Sequence, residues 1–250
     1  MGDAIPGRTK ILASSVVFVF ASVFLLFEFT SIHYGWPAAQ DDLTTWNILG
    51  VLEGVGWVIG FVLLIDWIVF EVQAPIMNVD ERSFDRQGLI GATLKLIASV
   101  LFCIQPISYL AGYLPDSYGC PWSNFAGICF FHTGNMINAI GMLPLIDCAA
   151  PALANAPPIG MIVFASATWF LVVADGIFYF SLPVPNGPGY HVGGMRDFVA
   201  PGQVIGASLL LVGSLMYTMW AAIFGKSSTV RASDPLLRAV QPQLDTGLPR

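Results

Sequence analysis

Six apolar runs, each about as long as a helix that crosses a bilayer, leave this chain few ways to fold. They extend from about Ile11 to Ile32, Thr44 to Phe70, Leu89 to Gly112, Pro121 to Ile146, Ile159 to Ser181 and Gln203 to Phe224. A hydrocarbon core of roughly 30 Å offers backbone amides no partners, so a spanning run of about 20 residues must satisfy them internally as a helix. With 56% of the residues hydrophobic and 10% charged, little is left over for a soluble domain. The sequence predicts an all-α integral membrane protein with six transmembrane helices. The first run is too long for a secretory leader and lacks a small-residue cleavage pattern, so it is read as a retained helix.

The cations orient this topology. Arg8, Lys10, Arg82, Arg86, Lys226, Arg231, Arg238 and Arg250 fall on one side, Arg196 on the other, and Lys95 inside a run. Cytoplasmic loops carry the excess of Lys and Arg, so both termini are expected in the cytoplasm. The net charge of −6 comes without a basic stripe, which argues against nucleic-acid binding. Cys103, Cys120, Cys129 and Cys148 form neither a C-x-x-C pair nor a zinc cluster with histidine, and buried, inert thiols are the expectation.

One stretch occurs twice. Residues Leu89-Ile90-Gly91-Ala92-Thr93-Leu94-Lys95-Leu96-Ile97-Ala98-Ser99-Val100-Leu101-Phe102 are echoed by Val204-Ile205-Gly206-Ala207-Ser208-Leu209-Leu210-Leu211-Val212-Gly213-Ser214-Leu215-Met216-Tyr217. As third and sixth of six spans the copies cross in opposite directions, which predicts a three-plus-three inverted repeat. The expected divisions are a polar lead (1–10), a first three-helix repeat (11–112), a second (121–224) and a mobile polar tail (225–250).

Within the second and third spans, Trp57, Ile59 and Gly60, then Gly91, Leu94, Leu96, Ile97, Ser99 and Pro106, form W-x-I-G and G-x-x-L-x-L-I-x-S patterns. This hairpin resembles the two-helix membrane domain of YrhK-like proteins. The fifth and sixth spans, through Trp169 and Gly213-Ser214, look like a second copy. The resemblance implies a membrane hairpin and carries no activity with it.

Small residues at helical spacing are the ordinary seams of membrane bundles, because lipid tails are as apolar as leucine and association depends on close packing. Gly127, Gly134 and Gly141 recur every seven residues, Gly50/Gly54 and Gly56/Gly60 make two G-x-x-x-G pairs, and Gly91, Ala98, Gly206 and Gly213 mark the repeat. All are read as helix packing.

Ionisable groups inside a run cost about 2.5–3.5 kcal/mol on insertion scales, so Glu53, Asp66, Lys95 and Asp175 need partners, water or neutralisation. Asp66 and Lys95 fall at similar depths in consecutive spans and are expected to form a structural ion pair. Asp175 has no evident partner and is a candidate proton or cation acceptor. His132, Asn135 and Asn138, three residues apart, form a polar ridge that either glues helices together or lines a solute path. His33 and His191 are placed in loops. Hydrolase, zinc-protease and phosphate-loop signatures are absent, and no catalytic residue, cofactor or metal is expected. The reading that follows is a small channel or carrier for protons, cations or small polar solutes, with Asp175, His132, Asn135, Asn138 and Glu53 as candidates. Its rivals are a non-transporting subunit of a complex or homo-oligomer, packed on other membrane helices through glycine faces, and a lipid-modifying enzyme.

Overall fold

The computed structural model describes residues 8–69, 79–113, 121–146, 148, 155–182, 189–190 and 192–224. The expected lead lies largely, and the expected tail wholly, outside them. So do His191, Cys120 and four of the cations that set the orientation, Lys226, Arg231, Arg238 and Arg250.

Six long helices account for nearly all of the described chain, and no strand occurs among the described residues. They are α1 (Arg8–Tyr34), α2 (Leu43–Trp67), α3 (Val79–Leu110), α4 (Pro121–Met142), α5 (Ala156–Ser181) and α6 (Val199–Phe224). Five of them, all but α4, are long and apolar enough to cross a membrane. Such a chain is an integral, multi-pass membrane protein. Local chemistry sets several ends. Asp42 caps α2 through Thr45, accepting from its amide at 3.0 Å and its hydroxyl at 2.6 Å, and these bonds hold the Asp42 carboxyl below its ordinary range. Pro157 and Pro158 open α5, where a missing N–H costs nothing. Helix α4 stops at Met142 and a 3-10 turn holding Pro144 follows, so the fourth run is shorter as a helix than its apolar length. Another 3-10 turn, Gly193–Phe198, leads directly into α6, so helical structure begins ten residues ahead of the sixth apolar run. His33 lies in the last turn of α1 rather than in a loop.

Each helix packs on its neighbours in sequence, and α1 packs on α6, so the six close into a ring. Pairs of facing residues give the headings. Gly60 meets Phe18 and Gly50 meets Glu28; Gly54 meets Cys103 and Gly50 meets Pro106; Gly134 meets Gly91 and Gly127 meets Phe102. Gly176 meets Phe125 and His132 meets Thr168, Gly206 meets Leu171 and Gly160 meets Tyr217, while Ser22 Oγ lies 3.1 Å from Ser214 Oγ and His33 Nε2 2.6 Å from Gln203 Oε1. In every pair the numbers run in opposite senses, so neighbours are antiparallel and the ring is an up-and-down bundle. The end where α1 begins is called proximal here, and the end holding the α1–α2 turn is distal.

Helices α3 and α6 therefore have opposite headings, as the duplicated stretch predicts. Their burial also agrees: each aligned pair from Leu89/Val204 to Phe102/Tyr217 is alike buried, half-buried or exposed, except Thr93/Ser208. The ring itself does not have three-plus-three symmetry. A two-fold axis in the membrane plane reverses the order of helices around a ring, whereas matching α1 with α4, α2 with α5 and α3 with α6 preserves it. The glycines register the difference. Gly91 faces α4, the helix that follows it, and Gly206 faces α5, the helix that precedes it. When two helices turn the same face inward but head in opposite directions, their side faces must swap neighbours. The likeness is a property of α3 and α6, and the hairpins α2–α3 and α5–α6 differ in hand. Accordingly Trp57 is 1% exposed in the ring interior, while Trp169 is 53% exposed on its outside.

Candidate functional site

Large side chains point both outward and inward from the ring. Outside, Phe20, Ile59, Val100, Phe130, Trp169 and Val212 stand exposed within the helices, away from their ends, as lipid-facing residues should. Inside, at mid-depth, Trp57 is wedged among Phe18, Phe61 and Phe131, with ring centroids 5.4, 5.9 and 5.2 Å away. Phe61 also meets Phe18 at 4.6 Å and Phe131 at 5.6 Å. Four rings from α1, α2 and α4 thus form a septum across the bundle, and a chamber opens on either side of it. Both chambers touch Trp57 and Phe131.

The distal chamber, about 150 Å³, is acidic. Glu28 of α1, Glu53 of α2 and Asp175 of α5 all line it, together with Asn47, Gln105 and Asn124. Space for Glu28 comes from Gly50, where a Cβ would stand 3.3 Å from Glu28 Oε2. Glu53 Oε1 accepts from Trp57 Nε1 at 2.9 Å, so one carboxyl holds the central ring of the septum. Asp175 Oδ1 accepts from the Gln203 amide at 2.7 Å, and Gln203 Oε1 lies 2.6 Å from His33 Nε2. Because an amide oxygen only accepts, His33 must carry its proton on Nε2 in this arrangement. The result is a polar line from the end of α1 to Asp175. Asn124 Oδ1 is buried here without a partner among the described residues. Three carboxyls facing one enclosed space repel one another when ionised, and an entering cation relieves that repulsion. No group of three or more His, Cys, Asp or Glu is close enough to chelate a metal ion among the described residues.

The proximal chamber, about 130 Å³, is lined by a single charged side chain among the described residues, Lys95. Lys95 is 3% exposed, and its Nζ sits 5.3 Å from the centre of the Phe61 ring. With its amide oriented to satisfy both ends, Asn138 accepts from Lys95 Nζ at 2.8 Å and donates to the Gln87 carbonyl at 2.9 Å. Asn135 is 1% exposed, and its Nδ2 has no acceptor among the described residues.

Several expectations change in the light of this geometry. Asp66 does not meet Lys95: it pairs with Lys10 of α1 at 2.7 Å, both side chains more than a third exposed. Depth placed Asp66 and Lys95 together, but rotation about the helix axes turns Lys95 inward and Asp66 toward α1. His132 lines neither chamber; its Nδ1 lies 3.0 Å from Thr168 Oγ1 and joins α4 to α5, the packing role of the polar ridge. Asn135, Asn138, Glu53 and Asp175 do line chambers, the first two below the septum and the others above it. Cys148 is exposed, Cys103 and Cys129 are half-buried, and all three are free thiols.

Glu28, His33 and Gln203 were not singled out by sequence. Glu28 lies near the end of the first apolar run, His33 just beyond it, and Gln203 opens the sixth. The available signal was their common position, since all three fall at the same end of antiparallel neighbours. No protein-family model, no curated protein and no solved structure matches this chain.

Proposed function

We propose that the chain is a six-span carrier or narrow channel for protons or small cations, with both termini in the cytoplasm and Asp175 and Glu53 as the acceptors. The observation that carries this reading is three carboxyls on three helices converging on one interior chamber above an aromatic septum. A membrane interior tolerates such a concentration of acids only where they meet water, a cation or one another, and such groups mark ion paths. Glu53 gives the chamber a means of moving its floor, because its bond to Trp57 weakens when the carboxyl takes up a cation. The distal end faces away from the cytoplasm in this reading, since Lys10 and Arg86 lie at the proximal end.

Helix α4 serves as the sixth span. It is less apolar over its length than a spanning stretch usually is because it carries His132, Asn135 and Asn138, turned toward neighbouring helices, while Phe130, Met136 and Ile140 face outward like the lipid-side residues of the other five. The rival reading, a packing subunit, drew on glycine faces left for partners. Those faces are used within the chain: Gly50, Gly54, Gly60, Gly91, Gly127, Gly134, Gly206 and Gly213 all abut helices of the same ring. The likeness to YrhK-like hairpins adds no activity to either reading.

The test is flux into proteoliposomes, followed with an internal pH dye under an imposed proton or sodium gradient. Wild-type protein should carry current, and Asp175→Asn with Glu53→Gln should abolish it while leaving the helical content unchanged. Full flux in the double variant, or none in the wild type, would sink the proposal.

A further inference from the structure

The proximal chamber has the chemistry of an anion site, and nothing in a cation path calls for it. Among the described residues its one charge is positive and no carboxyl lines it, and Asp66, the acid expected to neutralise Lys95, is bound elsewhere. Lys95 has three N–H donors, of which Asn138 takes one. Asn135 adds two amide hydrogens with no acceptor among the described residues. Asn135 and Asn138 are three residues apart on α4, hence neighbours on one face about 5–6 Å apart, so the free amide lies within a turn of the ammonium. A buried donor left unmade costs about 1–3 kcal/mol, and a buried unpaired ammonium costs more. The remaining walls are mostly apolar and aromatic, Trp67, Met161, Phe164 and Trp220 among them, with Ser14, Ser15 and Gln87 as further polar residues.

We propose that this chamber binds a small organic carboxylate, its two oxygens on Lys95 Nζ and Asn135 Nδ2 and its apolar body against the aromatic walls. One cation suits a single negative charge; a phosphate dianion would remain undercompensated in so apolar a space. The site is independent of the acidic chamber, from which the septum divides it.

The experiment is a calorimetric titration of the full-length protein in nanodiscs, with empty discs subtracted and hexanoate as the probe. Hexanoate should bind saturably, and hexanamide and hexylamine should not. Lys95→Met and Asn135→Leu, close in size to the native residues, should each weaken binding about tenfold or more. Asp175→Asn, which lies in the acidic chamber and touches neither the septum nor the proximal walls, should leave it unchanged, which separates this site from the proposed cation path. Palmitate that displaces hexanoate would identify a membrane fatty acid as the source of the carboxylate; palmitate that does not would identify a water-soluble acid. Absence of saturable binding, equal binding of hexanamide, displacement by inorganic phosphate, or undiminished binding in both variants would overturn the assignment.

Discussion

Replacing Trp57 with alanine tests the septum on which both chambers depend. In soluble proteins a buried Trp→Ala change costs about 3–5 kcal/mol, part of it the return of apolar surface to water. That part is largely absent here, because the unfolded reference for a membrane helix is already in lipid. What remains is packing. Trp57 has three ring partners within 6 Å, at 5.4, 5.9 and 5.2 Å. At about 0.5–1.5 kcal/mol per ring pair, the loss of three amounts to roughly 1.5–4.5 kcal/mol. The bond to Glu53 goes as well, leaving a carboxyl oxygen without its donor and adding about 1–3 kcal/mol. Trp57→Phe separates the two effects, since it keeps a ring in the septum and loses only the N–H. Unfolding in mixed micelles by a denaturing detergent should therefore rank wild type above Trp57→Phe above Trp57→Ala. The functional consequence is sharper. Without the indole the chambers of about 150 and 130 Å³ join, and dye-loaded liposomes carrying Trp57→Ala should leak protons faster than wild type while Trp57→Phe stays tight. A Trp57→Ala protein as stable as wild type to within about 1 kcal/mol, or no leakier, would refute the septum.

Two further substitutions address the ring itself. Gly134→Ala would set a Cβ 2.6 Å from the Gly91 carbonyl oxygen, a backbone atom that no rotamer change can move. The helices must part there at a cost of about 1–3 kcal/mol, offset by up to about 1 kcal/mol of helix propensity. Gly88→Ala meets its nearest atom only at 4.0 Å and should be neutral or stabilising in the same unfolding assay; equal effects at the two sites would contradict the packing of α3 on α4. The Lys10–Asp66 pair is more than a third exposed, so a double-mutant cycle should give a coupling below about 1 kcal/mol, lost in high salt. A coupling of several kcal/mol would mean that the pair is buried.

Particular residues show how far sequence reasoning reached. Asp175, Glu53, Asn135 and Asn138 were legible because polar groups inside apolar runs are costly wherever the helices lie. Their separation into an acidic and a basic chamber was not, because that depends on which residues of six helices turn inward at the same depth. Asp66 and Lys95 illustrate the limit: rise per residue gives depth, while direction around the axis is set by contacts with α1 and α4. Gln203 and His33 came together from opposite ends of the chain, a pairing that exists only because α6 closes the ring on α1.

The sequence alone determined that the chain would be a bundle of lipid-embedded helices, which face of α3 and α6 would be buried, and that their headings would oppose. Each follows from properties local to one helix: apolar length, small-residue spacing and parity of crossings. The tertiary structure decided the cyclic order of the helices, and with it the hand of each hairpin and the absence of three-plus-three symmetry. Neighbour choice is a competition among whole surfaces, and reversing the heading of a helix exchanges its left and right sides without altering a residue, so no single stretch of sequence contains the answer.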